Sequence, residues 1–343
     1  MISTIDARSD PVAVGLIGAG GIGSFHGESL ARRVPETTLA AIADPAPGVA
    51  DGLAARLGCG TTYTDAADLI ADDDIEAVLI AAPARFHADL VKAAAKAGRA
   101  VFCEKPMAVT LDDGRRAVAA AADVPLQIGF NRRFDTGFRA AHDIVVDGGV
   151  GTPQLLRSLT RDPGIPEPGA VPPSTIFLET LIHDFDVLRF LNPGAEAVDV
   201  YAVADALAYS EFADRGLQDT AVTMVRFDNG AIATAEASFH AVYGYDIRGE
   251  VFGSGGMVTA GDQRRTTATF FGAEGVLSDS WQRNVDLFHD AYVAQLRAFA
   301  RCVRDGSRPQ VTGEDAIAAL TMALAAIRSV DEGRPVRIHE VIG

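Results

Sequence analysis

The chain has 343 residues, 48% of them hydrophobic, and its 46 acidic against 30 basic side chains leave a formal net charge of −16. That apolar content supplies core for two domains and excludes extended disorder. With no clustered Lys/Arg run, the charge favours solubility and speaks against nucleic acid as a partner.

Residues 1–11 read as a short flexible lead without the basic stretch and apolar core of a secretory signal. Residues 12–18 form a continuous apolar run, the pattern of a buried parallel strand. Helices are expected over 21–34, 48–57, 65–71, 87–97 and 111–122, and strands over 39–44, 77–82, 100–103 and 126–130. Strand and helix alternate, which predicts a parallel, doubly wound sheet. Further on the pattern changes. Strands are expected over 155–161, 198–206, 220–227, 231–239, 245–253 and 266–271, several joined by hairpin signals such as Asp228-Asn229-Gly230. A helix over 179–192 packs near this mostly antiparallel sheet, and two more follow over 283–305 and 313–331. The loop 162–174, with five prolines and two glycines, suits an ordered cover over a site. The expected fold class is therefore α/β. A Rossmann-type domain over 1–130 precedes a C-terminal α+β domain over 131–343 built on a large, mostly antiparallel sheet. No apolar run approaches the ~18 residues of a membrane span. Cys59, Cys103 and Cys302, odd in number and widely spaced, fit a reducing cytoplasm and offer no metal pattern.

Three stretches carry chemistry. Gly18-Ala19-Gly20-Gly21-Ile22-Gly23 has the form G-x-G-x-x-G between the first strand and the first helix. Glycines there permit a tight turn and let backbone N–H groups approach a pyrophosphate at the helix N-terminus; a turn serving packing alone is the other reading. Asp44 favours the first. It ends the second strand, 21 residues beyond Gly23, where a carboxylate hydrogen-bonds both adenosine-ribose hydroxyls and repels a 2′-phosphate. Pro45-Ala46-Pro47 offers no arginine to such a phosphate, so NAD is expected over NADP.

Cys103-Glu104-Lys105-Pro106 lies at the carboxyl end of a strand, the edge at which open parallel sheets bind ligands. A lysine there can donate to a substrate hydroxyl and stabilise a developing alkoxide, or it is a solvated lysine before a proline turn. In E-T-L-I-H-D-F-D, Glu179, His183 and Asp186 are spaced i, i+4 and i+7, one face of an α-helix. Leu181, Phe185 and Leu188 share roughly the opposite face. A carboxylate one turn before an imidazole is a workable general base. A satisfied, half-buried histidine between surface acids, or a metal site, fits the same spacing, although no further ligand cluster supports a metal.

Taken together, these pieces resemble the glucose–fructose oxidoreductase/inositol dehydrogenase (Gfo/Idh/MocA) family over nearly the whole chain. The resemblance rests on G-A-G-G-I-G, F-C-E-K-P at 102–106, G-F-N-R-R-F-D at 129–135 and the H-D-F-D helix. Y-G-Y-D at 243–246, E-V-F-G-S-G-G-M-V at 250–258 and S-W-Q-R at 280–283 turn it towards the inositol 2-dehydrogenases. The resemblance implies an NAD-dependent oxidoreductase acting on a CH–OH group of a cyclic polyol, with myo-inositol first and another inositol, an aldose or a deoxysugar as alternatives. A non-catalytic NAD sensor is an outside alternative that the presence of both Lys105 and His183 disfavours.

By the same resemblance Lys105, Glu179 and His183 are catalytic, and Arg132, Asp162, Asp186, Tyr245 and Trp281 lie near substrate. Gly18, Gly20, Gly21, Ile22, Gly23, Asp44, Ala82, Pro83, His87, Glu104 and Lys105 serve the cofactor, and no metal is called for. The substrate would lie between the nicotinamide and the second domain's sheet, with His183 taking the hydroxyl proton as hydride passes to NAD. Two departures stand out: Glu179 replaces an aspartate common in inositol dehydrogenases, and Ala84-Arg85-Phe86 interrupts a P-N-x-x-H form. The family also implies a homotetramer, with a dimer as the alternative, and no membrane partner.

Overall fold

The computed structural model describes residues 10–165 and 168–342; most of the expected lead, and two residues of the 162–174 loop, lie outside them. The chain forms two compact units. One runs to Gly129 and includes Tyr292–Glu314; the other is Phe130–Ala291 with the chain from Asp315 onward. The expected division at 130/131 is thus corrected: the chain crosses there once, then returns, because the apolar face of a C-terminal helix completes the first unit's core.

In the first unit β1 (Val12–Ile17), β2 (Thr37–Ala43), β3 (Thr61–Tyr63), β4 (Ala77–Ile80), β5 (Ala100–Cys103) and β6 (Leu126–Ile128) form a sheet in the order β3-β2-β1-β4-β5-β6. Every pairing is parallel. All residues of β4 and β5 are buried, which is why these strands read as unbroken apolar runs. The crossovers are α1 (Gly21–Arg32), α2 (Val49–Leu57), α3 (Ala66–Ala71), α4 (His87–Lys96) and α5 (Leu111–Ala120). Local chemistry sets their ends. Asp65 caps α3 by accepting from Ala67 N–H, Thr110 caps α5 by accepting from Asp113 N–H, and α2 stops at Gly58 with φ +77°. Strand order reverses on either side of β1 and β4, placing a crevice at their carboxyl ends.

The second unit opens with α6 (Thr136–Val146), capped by the Asp135 side chain on Gly137 and Phe138 N–H. After β7 (Pro153–Arg161) comes a π-helical segment, Ile176–Leu181, continuing into α7 (Ile182–Phe190). β8 (Ala197–Asp205), α8 (Ser210–Ala213), β9 (Thr220–Phe227), β10 (Ile232–Ser238), β11 (Asp246–Gly253), β12 (Gly256–Ala260), β13 (Arg264–Gly272) and β14 (Gly275–Ser280) follow. The described chain closes with α9 (Asn284–Leu287), α10 (His289–Asp305), α11 (Gly313–Glu332), β15 (Val336–Arg337) and α12 (His339–Ile342).

A seven-stranded sheet has the order β12-β11-β7-β10-β9-β8-β15 and is antiparallel except where β10 runs parallel to β7. Strict in–out alternation along β9 leaves Val222, Met224 and Arg226 exposed and buries Ala221, Thr223 and Val225. The strand expected over 266–271 does not join this sheet but pairs with β14 as a separate ribbon. Gly261, at φ +89°, turns the chain away; a Cβ there would stand 2.1 Å from the Ile247 carbonyl oxygen.

Candidate active site

In the first unit the glycine loop divides its labour. Gly18 has φ +94°, and a Cβ would lie 2.7 Å from the Ala81 carbonyl; a Cβ on Gly23 would lie 1.9 Å from the Gly18 carbonyl. Those two glycines serve close packing of strand, loop and helix. Gly20 and Gly21 are exposed and a Cβ on either meets nothing. They face the N-terminus of α1, where Gly20 supplies no side-chain cap. Open space before unpaired helix N–H groups fits a pyrophosphate. Ile22 is half-buried against the unit's core. Asp44 follows β2 and braces the loop: Oδ2 accepts from Ala19 N–H at 2.8 Å and Oδ1 from Ala46 N–H at 2.9 Å. Each oxygen keeps a lone pair for a ribose hydroxyl.

At the carboxyl end of β5, Lys105 is half-buried. Glu104 beside it is buried: Oε1 accepts from His26 Nε2 at 2.7 Å and Oε2 from the Lys105 N–H at 3.2 Å. Burial works to raise the Glu104 carboxyl, but the His26 bond and the positive charge of Lys105 overcome it and hold it below the usual carboxylate range. Glu104 was expected among the cofactor contacts; its carboxylate instead faces inward. His87, expected there too, is 2% exposed, with Nδ1 2.8 Å from the Pro106 carbonyl and Nε2 2.7 Å from the Ala82 carbonyl. It fastens the Ala82 and Pro106 loops together, and Pro83 is left exposed above them.

In the second unit the E-T-L-I-H-D-F-D segment straddles the change from π to α geometry. Glu179 lies in the π-helical turns and His183 in the first turn of α7. The wider π turns break the single face expected from α spacing. Glu179 and His183 are both half-exposed, and the His183 ring meets Phe130 edge-on at 5.9 Å.

Asp186, expected near substrate, is buried in an ion pair. It is 1% exposed and holds Arg133 in a fork, with Nε–Oδ2 at 2.9 Å and Nη2–Oδ1 at 2.6 Å; Arg133 also reaches Asp315 at 3.0 Å. Arg132 is 3% exposed and likewise spent. It donates to Asp184 Oδ1 at 2.9 Å and Thr160 Oγ1 at 2.6 Å, while Ser158 and Thr160 hydroxyls donate to Asp184. Burial pushes both aspartates up, opposed by their arginines, and the Asp186 and Asp315 charges hold Arg133 firmly protonated against its own burial. Arg132 and Asp184, with Ser158 and Thr160, fix α7, the helix of His183, onto β7, while Asp186 ties the same helix through Arg133 to Asp315. Arg133, Asp184 and His26 escaped sequence reasoning. The adjacent arginines and the D-x-D pair were visible signals, but which partners they choose is a matter of tertiary fold.

Asp162 and Tyr245 are brought together at one end of the sheet. Asp162 follows β7, its N–H donating to the Ser238 carbonyl, and Tyr245 precedes β11. Burial and then the Asp162 charge push the Tyr245 hydroxyl well above its ordinary value, so it stays a neutral donor. Trp281 reaches the same place through its backbone, where its carbonyl accepts from Tyr245 N–H at 2.7 Å. Gly244, at φ +112°, permits this approach, since a Cβ would lie 2.6 Å from the Trp281 carbonyl oxygen. The Trp281 ring carries the Arg265 guanidinium 5.8 Å above its centre.

A doubly wound sheet with an open glycine loop at its first strand–helix turn and an acid at the end of its second strand has the form of a dinucleotide-binding domain. The chain matches the oxidoreductase family model with an NAD-binding Rossmann fold over residues 12–131 and the GFO/IDH/MocA C-terminal domain over residues 138–259. It is 39% identical over 337 residues to myo-inositol 2-dehydrogenase of Thermotoga maritima, covering 96% of this chain and 99% of that one. It is 36% identical over 334 residues to inositol 2-dehydrogenase of Rhizobium meliloti, covering 95% and 99%. A crystal structure of Lactobacillus casei scyllo-inositol dehydrogenase with bound NAD(H) and scyllo-inositol superposes with a TM-score of 0.92 at 26% identity, covering 96% and 100%. The chain belongs to the Gfo/Idh/MocA family and is an NAD-dependent oxidoreductase acting on CH–OH groups. Among the described residues no helix is long and apolar enough to cross a membrane.

Proposed function

We propose that this enzyme oxidises myo-inositol at C2 to 2-keto-myo-inositol (scyllo-inosose). One observation carries the reading: full-length likeness to inositol 2-dehydrogenases of two organisms in a chain that keeps both Lys105 and His183. NAD+, when bound, supplies the hydride acceptor at C4 of its nicotinamide. His183 takes the hydroxyl proton as the carbon gives up its hydride, so a ketone and NADH result. Lys105 hydrogen-bonds the same oxygen and stabilises the negative charge that grows as the proton leaves. Glu179 orients His183. Asp162, Tyr245 and Trp281 recognise ring hydroxyls, while Arg132 and Asp186 act from beneath by fixing α7. The loop 18–23, Asp44 and the Ala82–Pro83 segment hold the cofactor, and NAD is preferred because the Asp44 carboxylate repels a 2′-phosphate. The free thiols Cys59, Cys103 and Cys302 suit a cytoplasmic enzyme.

NADH formation with myo-, scyllo- and chiro-inositol and with glucose tests this reading. The highest kcat/KM is expected for myo-inositol. An aldose preferred by ~10-fold or more would move the assignment to a sugar dehydrogenase, since sites built on hydroxyl recognition discriminate strongly.

A further inference from the structure

Lys105 lies between two residues that are each held by a buried histidine from a different helix. On one side, His26 of α1 is fully buried and its Nε2–H donates to Glu104 Oε1 at 2.7 Å; Glu104 Oε2 accepts from the Lys105 N–H at 3.2 Å. The space for that carboxylate is set by Gly129, where a Cβ would stand 2.9 Å from Glu104 Oε2. The His26 ring is boxed by Phe25, Phe102 and Tyr292 at centroid distances of 5.6–6.1 Å, so it has little room to rotate. On the other side His87, the first residue of α4, puts Nδ1 2.8 Å from the Pro106 carbonyl and Nε2 2.7 Å from the Ala82 carbonyl. Both ring nitrogens thus lie within hydrogen-bond reach of a backbone carbonyl. These polar groups sit in the core, where unpaired ones are costly. The first bracket runs back along α1 to the glycine loop, and the second to the segment that a Cβ on Gly18 would strike at Ala82 N, 2.8 Å away.

We propose that His26 and His87 are positioning residues that lock the backbone on either side of Lys105 and register it to the cofactor loops. This rests on the reading that Lys105 hydrogen-bonds the reacting oxygen. The locked backbone places the ammonium group; neither histidine touches substrate.

The test compares His26→Phe, His26→Gln, His87→Leu and Lys105→Ala in the intact enzyme, with myo-inositol and NAD+ as probes. kcat, KM, the dissociation constant for NADH and the thermal midpoint are measured for each. His26→Phe and His87→Leu are each expected to lower kcat about 10- to 100-fold, the scale of a misplaced group, with NADH affinity unchanged within about twofold. His26→Gln, whose amide can still donate to Glu104, recovers most of the loss. Should His26→Phe fail to fold because it strands the Glu104 charge, His26→Phe/Glu104→Gln removes that charge and carries the same expectation. Wild-type kcat in the histidine variants alongside an inactive Lys105→Ala overturns the positioning role alone. So does a loss confined to the thermal midpoint or to NADH binding. Full turnover by Lys105→Ala overturns the reading beneath it as well.

Discussion

His183 sits half-exposed where π-helical turns give way to α7, its ring edge-on to Phe130. A general base contributes typically ~10²–10⁴-fold. His183→Ala is therefore expected to lower kcat by about that factor while NADH still binds; steady-state turnover and NADH fluorescence titration check it, and unchanged turnover removes the base role. At this scale the sequence was legible where one residue type performs one local task. The G-x-G-x-x-G spacing marked the turn that the structure forms between β1 and α1, and Asp44 falls, as read, at the end of β2. It was less legible where a side chain's meaning depends on its partner. Glu104, His87 and Asp186 looked like ligand contacts, yet their polar atoms close onto His26, the Ala82 and Pro106 carbonyls, and Arg133. Burial and pairing are decided by packing, which a single sequence does not display.

Among the elements, five of the six parallel strands and their helices were read within a few residues because burial on both faces and side-chain caps leave local marks; β3, three residues long and nowhere fully buried, was not. The π segment was not, since Ile176–Leu181 carries the same apolar spacing that an α-helix would show. Nor was the departure of β13 from the sheet, which turns on Gly261 meeting a distant carbonyl. The tie between α7 and its surroundings makes a prediction at this scale. Removing one partner of a buried ion pair typically costs ~3–5 kcal/mol because the other charge is stranded. Asp186→Ala should thus lower unfolding free energy by about that amount in urea titrations. In the protein that remains folded, KM for myo-inositol should change little. A large rise in KM at unaltered stability would restore Asp186 to the substrate site.

At the scale of the whole molecule, the outer face of the seven-stranded sheet sets exposed apolar pairs among ion pairs such as Arg157–Glu236 and Arg226–Asp199. Val222 lies opposite Val203, Met224 opposite Tyr201, Ile232 opposite Leu155 and Phe252 opposite Met257, all exposed. We propose these exposed apolar pairs as the face on which copies of the chain build a tetramer. Val222→Lys/Met224→Lys is expected to reduce the molar mass in light scattering after gel filtration; an unaltered assembly would place the interface elsewhere. Another consequence follows from the order in which the chain is made. The first unit's core contains Leu296, Phe299 and Ala300 beside Val14, Leu79 and Phe102, so the residues that complete the nucleotide-binding unit emerge from the ribosome after nearly all of the second. At ~5–20 residues per second, the newborn sheet waits on the order of ten seconds with that apolar surface uncovered. A fragment ending near residue 130, although it holds every strand of the parallel sheet, would keep that wound open.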